Sequence, residues 1–331
     1  MTHLYLHPEV EDYFVEYDFR QVQDGLETRI AEDYNSEKII LLRNLKFDAD
    51  LVFLRSVAFT QKWKWKKLSL STFESVPVES QREHPEIIEF VKDVFAGDWE
   101  RFSYFFEQVR LVNSQIRSAL GALFSGYGFS RRDIIWRFAE TRVENLHFDT
   151  DRNCDNLELI RLYVNLDDVP RIWYTAGTFT SISNEWYRKL DLQRFRTEPH
   201  DRILKELTVK VFGDWYSRGR DKVPRHLVLF EPGDVWLSDG RLVAHQVLYG
   251  RRVVSTLFVA PSDAVPNPRM TFAHKVSELH QRQEELKDGP QAANTVSSAK
   301  HGSEVRRKKV DLRASWQDLP EHVLKDTLIR L

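Results

Sequence analysis

Apolar and polar residues change their spacing once along this 331-residue chain, near residue 130. Upstream, HPEIIEFVKDVF and QVRLVNSQIRSALGALFSGYG fall within residues 84–126, with apolar side chains at helical spacing and no proline after Pro85. That pattern predicts two or three helices ending at Gly126 and Gly128. Residues 1–60 read as mixed: a short helix near FRQVQDGLETRIAEDY, a strand KIILLRNL and a helix DADLVFLRSVAF. Downstream of about 132 the period shortens. IIWRFAETR, LHFDT, LELIRLYVNLD and RIWYTAG are β-rich runs bounded by turn residues. After an interruption, RHLVLFEPG, DVWLSDGR, LVAHQVLYG and RVVSTLFVA resume the strand signal. The interruption, roughly 180–223, holds helical pieces such as NEWYRKL and DRILKELTVKVFGDWY. Past Pro261 come a helix around TFAHKVSELHQRQEELK, a loop or disordered stretch, and a short helix DLPEHVLKDTLIRL.

Eight strands with one helical excursion predict an α+β chain whose core is a double-stranded β-helix, the cupin-like jelly roll, braced by N-terminal helices. Three parts are expected: an N-terminal α/β elaboration over 1–130 packing on the barrel, the core over 131–262 with its insertion at 180–223, and a C-terminal helix with a partly flexible tail over 263–331.

Composition narrows the function classes. A formal net charge of −2 offers no global basic field for nucleic acid. The start MTHLYLHPEVEDYF is too polar for a signal peptide and no apolar run is long enough for a membrane span. With Cys154 the single cysteine, an internal disulfide framework and Cys-rich zinc sites are excluded, and a reducing cytoplasm is the expected home. Nine Trp and 21 Phe predict a core or cavity with aromatic walls.

The candidate chemistry begins at VENLHFDTD, residues 143–151. In a strand, His147 and Asp149 share a face. His245 lies on the seventh candidate strand. Two imidazoles and one carboxylate from strands two and seven make a 2-His-1-carboxylate set, which suits Fe(II) and leaves positions open for a co-substrate and dioxygen. Arg251 and Arg252 open the eighth strand, and a guanidinium there would hold the far carboxylate of a dicarboxylate co-substrate. Alternation lets one of the two face inward; Arg252 is the first choice. On strand three, Arg161, Tyr163 and Asn165 share a face that is polar where a half-buried strand would turn apolar residues inward, so they are expected to line a ligand cavity.

The runs TRVENLHFDTD, LIRLYVNLDDVPRIWYT and FEPGDVWLSDGRLVAHQVLYGRRVVST resemble the Kdo hydroxylases, over about residues 130–260. The resemblance implies an Fe(II)/2-oxoglutarate-dependent dioxygenase that uses O2 to hydroxylate C3 of Kdo (3-deoxy-D-manno-oct-2-ulosonic acid) linked to lipid A, giving Ko. It implies His147, Asp149 and His245 as iron ligands and Arg252 or Arg251 as the 2-oxoglutarate clamp. Such a glycolipid is anionic, so a basic substrate mouth is expected, with Arg142, Arg171 and Arg225 as candidates. In QKWKWKKLSL, Trp63 and Trp65 oppose Lys62, Lys64 and Lys66, as in an edge strand or in a peripheral contact with the inner-membrane surface. Two alternatives stay open: an oxygenase acting on a protein side chain or small metabolite, and a non-catalytic jelly-roll module that binds sugar.

Overall fold

The computed structural model describes residues 2–20, 25–57, 67–69, 71–137, 141–142, 144–151, 154–213, 223–288 and 307–309. Residues 61–66 of the lysine–tryptophan stretch and the final helix expected at DLPEHVLKDTLIRL lie outside them. The chain opens with β1 (His3–Leu6), β2 (Phe14–Asp18), α1 (Leu26–Asn35), β3 (Ile39–Arg43) and α2 (Leu51–Ser56). Then come β4 (Lys67–Ser69), α3 (Ser71–Ser75), α4 (Pro85–Phe95) and α5 (Trp99–Leu123). The strand-rich half holds β5 (Arg131–Arg137), β6 (Thr141–Arg142), β7 (Leu157–Ile160), β8 (Leu162–Asn165) and β9 (Arg171–Thr178). Helices α6 (Phe179–Trp186) and α7 (Asp201–Leu207) fill the insertion. After it follow β10 (His226–Phe230), β11 (Val235–Leu237), β12 (Val243–Gly250), β13 (Val253–Pro261), α8 (Phe272–Asp288) and β14 (Arg307–Lys309). Among the described residues no helix is long and apolar enough to cross a membrane.

These elements make an α+β fold with two sheets. The first runs β14-β1-β10-β9-β12-β6; the second runs β2-β3-β11-β8-β13-β5-β4, with β7 also on β13. Pairings are antiparallel except β1 with β14 and β2 with β3. The N-terminal strands β1 and β2 carry no clear alternation and escape a reading of sequence; β1 is placed by a partner more than 220 residues away, His3 opposite Leu229.

Aromatic rings join the sheets. Phe230 of the first stacks on Trp236 of the second at 3.8 Å, and Trp173 meets Tyr163 and Trp236 edge-on. On the outer face of the second sheet, α5 inserts Phe105, Val109, Val112 and Ile116 against Ile134, Trp136, Val164 and Val254. Its start is fixed by Asp98, whose carboxylate accepts the Arg101 N–H at 2.9 Å. The buried Trp136 indole N–H is satisfied by Asn113 Oδ1 at 2.9 Å. Because Trp136 faces the helices, alternation turns Arg137 toward the space between the sheets.

The predicted strand LELIRLYVNLD is two strands, β7 and β8, in one register on β13. The break has a local cause. The Arg161 N–H donates to the Tyr34 hydroxyl (2.9 Å) and the Leu162 N–H to Thr256 Oγ1 (2.8 Å) instead of to ladder carbonyls.

At the start of β7 the enclosed Glu158 carboxylate accepts the N–H of Phe272, the first residue of α8, at 3.0 Å. Burial, with Asp239 adding to it against the pull of Arg241, pushes Glu158 up to about 7 from 4.5. The folded state therefore holds this proton more tightly than the unfolded chain. Its stabilising contribution is complete below about pH 4.5 and is lost as pH rises through about 7. Urea unfolding of Glu158→Gln, which keeps an acceptor for Phe272, should lack that decline. Relative to the variant, the native chain should lose on the order of 3 kcal/mol between pH 5 and 8. Parallel pH profiles for the two proteins would show that the proton is not held.

Candidate metal centre

Residues 144–151 run beside β12 without forming a strand. The Glu144 N–H donates to the Val247 carbonyl, His147 and His245 exchange both backbone hydrogen bonds at 2.9 Å, and the Asp149 N–H donates to the Gly240 carbonyl at 2.8 Å. Between them the Phe148 N–H turns away to Thr208 Oγ1 (3.1 Å), and its ring packs on Phe179 and Phe212 of the insertion. The strand expected at LHFDT is thus a single bridge. Alternation survives locally: Phe148 enters the insertion's core while His147 and Asp149 face the cavity.

His147, Asp149 and His245 each bring one ligand atom to within 4.8 Å of the others. Nε2 of His147 lies 3.6 Å, and Nε2 of His245 4.0 Å, from Asp149 Oδ1. Nδ1 of His147 faces the Asn145 carbonyl at 2.6 Å, and Nδ1 of His245 faces the Val243 carbonyl at 3.2 Å. A carbonyl accepts only, so each Nδ1 carries a proton and Nε2 is the atom each ring turns to the cluster. Burial, reinforced by His147, pushes His245 down to about 4, which keeps its ring neutral. Burial also opposes ionisation of Asp149, but Arg161 and the two imidazoles outweigh it and hold the carboxyl well below its usual range. Arg161 Nη1 sits 3.3 Å from Asp149 Oδ2, and its Nη2 2.6 Å from Asp151. One carboxylate oxygen is thereby engaged by the guanidinium while the other faces the histidines.

The cluster opens into a cavity of about 180 Å³. Its walls include Trp173, stacked on His245 with ring centres 5.1 Å apart, and Tyr163, Val247 and Val253. Its polar lining includes Arg161, Arg171, Arg137 and Glu144. Arg171 is enclosed, its Nε has no hydrogen-bond partner and, among the described residues, it forms no ion pair. Desolvation, with the charge of Arg137 next, lowers its pKa to about 10. A buried cation held in no ion pair is costly.

The other residues singled out from sequence fall as follows. Arg161 and Tyr163 line the cavity. Asn165, on the same face, instead closes a turn: its amide donates to the carbonyls of Val169 (3.0 Å) and Phe230 (2.9 Å). Arg251 and Arg252 do not line the cavity. Arg251 grips Asp167 through Nε (2.8 Å) and Nη2 (2.7 Å) and also meets Asp168, while Arg252 Nη1 lies 3.2 Å from Asp167. Of the two, Arg252 adjoins Val253, which faces the cavity, and precedes Val254, which packs against the helices. Its own alternation therefore points it to the helix side. Arg225 sits over the Tyr174 ring (4.3 Å) and bonds Gln246 Oε1 (3.1 Å). Arg142 pairs opposite Tyr249 through its backbone. Reasoning from sequence missed Arg137, Glu144 and Trp173. The alternation in IIWR, with Trp136 on the helix side, was the available signal for Arg137.

Two facing sheets thus carry an imidazole–imidazole–carboxylate cluster, a candidate metal site, in a cavity lined by three arginines on an α+β fold. Neither a protein-family model nor a curated protein sequence matches the chain. Solved structures do, among them several of one protein. The Kdo hydroxylase KdoO, a non-heme Fe(II) alphaketoglutarate-dependent dioxygenase, in complex with alphaketoglutarate and Fe(III), aligns at 15% identity over 81% of this chain and 96% of its own, with a TM-score of 0.55. Its cobalt(II) complex aligns at 15% identity over 86% and 100%, with a TM-score of 0.55, and its apo structure at 15% over 85% and 99%, with 0.53. At this identity the likeness is one of fold.

Proposed function

We propose that this chain is an Fe(II)/2-oxoglutarate-dependent dioxygenase on a double-stranded β-helix, hydroxylating C3 of Kdo in lipid A-linked lipopolysaccharide to give Ko. The observation that carries the reading is one cavity holding both the His147–Asp149–His245 cluster and the buried Arg171, which forms no ion pair among the described residues. The donor set fits the metal: two imidazoles and one carboxylate oxygen suit Fe(II) and leave positions for other ligands. The cavity also fits the co-substrate, since a dicarboxylate anchored at the metal needs a cation for its far end, and Arg171 with Arg137 supplies it. When bound, iron, 2-oxoglutarate and O2 supply the oxidation, releasing succinate and CO2 as one oxygen atom passes to the substrate.

The protein's own part is geometric. Backbone carbonyls set both histidine tautomers, Arg161 orients Asp149, and the Trp173, Tyr163, Val247 and Val253 walls limit water around the reacting centre. No general base is required of the chain. The basic lining suits an anionic sugar acid, and a glycolipid substrate would be met by peripheral contact with the cytoplasmic face of the inner membrane.

The test is anaerobic reconstitution with Fe(II) and 2-oxoglutarate, then O2 with Kdo-lipid A in detergent, followed by mass spectrometry of the sugar and succinate release. One added oxygen on Kdo, absent with His147→Ala, is the expected result. Succinate without an oxygenated sugar would keep the oxygenase and move the substrate to a protein side chain or small metabolite. Neither product from an iron-loaded protein would leave a sugar-binding module.

A further inference from the structure

Gly240 is the backbone that approaches the metal cluster most tightly among the described glycines. Its carbonyl accepts the Asp149 N–H, and a Cβ at this position would overlap Asp149 Oδ2 and lie 2.8 Å from His245 Cε1. Whatever holds the Ser238–Leu242 turn therefore holds the cluster's wall.

The turn is braced from behind by charges that never touch the cluster. The Asp239 carboxylate accepts the Arg241 N–H at 2.8 Å, and the Asp239 carbonyl accepts the N–H groups of Leu242 (3.0 Å) and Val243 (3.1 Å). The Arg241 guanidinium, 2% exposed, forks onto the same carboxylate through Nε (3.1 Å) and Nη2 (2.7 Å). Its Nη1 donates to the Leu157 carbonyl at 2.8 Å, its Nη2 lies 3.6 Å from Glu158, and its plane covers the Phe272 ring at 4.9 Å. One side chain thus joins the turn, the approach to β7 and the head of α8.

An apolar plug of equal volume would stabilise such a place at least as well, because burying charges costs what their attraction returns. What the fork adds is a single permitted geometry for Asp239, and hence for the Gly240 peptide.

We propose that Arg241 is a positioning residue for the metal centre: by clamping Asp239 it fixes the Gly240 peptide that anchors Asp149 and walls His245. The inference rests on the metal-binding reading above. Outer groups that orient ligands commonly change metal affinity 10- to 100-fold when removed.

The experiment is a Co(II) titration followed by visible absorption, with thermal unfolding of the metal-free proteins alongside. Arg241→Met should weaken Co(II) binding at least about tenfold and alter the Co(II) band, while Arg241→Lys, which keeps a cation on Asp239, should recover part of the affinity. Asp239→Asn keeps the turn's acceptor and loses the charge, so it provides a folded intermediate case if Arg241→Met does not fold. Folded Arg241→Lys and Asp239→Asn proteins with native Co(II) affinity and spectrum would overturn the proposal, leaving Arg241 a purely structural brace. No Co(II) binding by the unaltered chain would instead overturn the metal reading, and this inference with it.

Discussion

Arg171→Met is expected to raise the 2-oxoglutarate KM on the order of 100-fold and, at the same time, to raise the thermal stability of the ligand-free protein. The first effect follows from losing a bidentate charge-assisted contact: hydrogen bonds to charged groups contribute about 1.5–3 kcal/mol, and each 1.4 kcal/mol is about tenfold in affinity. The second follows from the guanidinium's surroundings. Arg171 is enclosed, has an unpartnered Nε and is pushed down to about 10 by burial and by Arg137. Removing it relieves that cost in the empty cavity. Arg251→Met and Arg252→Met should move the KM by less than about threefold, because their partner is Asp167. Steady-state kinetics and melting curves on the three variants decide it. A large KM effect at Arg252 with none at Arg171 would return the clamp to the head of β13.

Gly240→Ala is expected to abolish metal binding while leaving the melting temperature of the metal-free protein within a few degrees. Gly240 has no positive φ, so alanine suits the backbone. The added methyl must displace the Asp149 carboxylate, which Arg161 and the two imidazoles hold in place. A side-chain end can move cheaply in folding terms, but here it moves off the metal. Loss of one of three protein ligands should lower Co(II) or Fe(II) affinity by two orders of magnitude or more, roughly the upper end of effects seen even for outer-shell groups. Isothermal titration of the metal-free proteins measures this, and native affinity in the variant would show that Asp149 is not a ligand.

The ligand cluster was legible because each of its parts is local. H-x-D puts two donors on one side of any extended segment, and LVAHQVL is an unmistakable strand, so strand order alone suggested that they meet. The segment around His147 did not need to be a full strand for this to hold. The faces of β8 were legible for the same reason: Leu162 and Val164 pack under the helices while Tyr163 meets Trp173 across the sandwich.

Long side chains at strand ends were not legible. Alternation assigns a face to a Cβ, whereas Arg251 and Arg252 are flexible enough to reach Asp167, 84 and 85 positions away, on a turn that sequence does not locate in space. Arg137 and Arg171 point inward by the same period-two rule, but only the stacking of the two sheets reveals that they share one cavity and that the Arg171 Nε has no hydrogen-bond partner there. The fork of Arg241 on Asp239 is local, yet its purpose depends on Gly240 touching a residue 91 positions earlier. By itself the sequence determined the secondary-structure periods, the α+β class and the three residues of the candidate metal cluster, since these depend on neighbours a few positions apart. Tertiary structure alone decided which cations are paired and which are left facing the cavity, because charge compensation is set by distance in space.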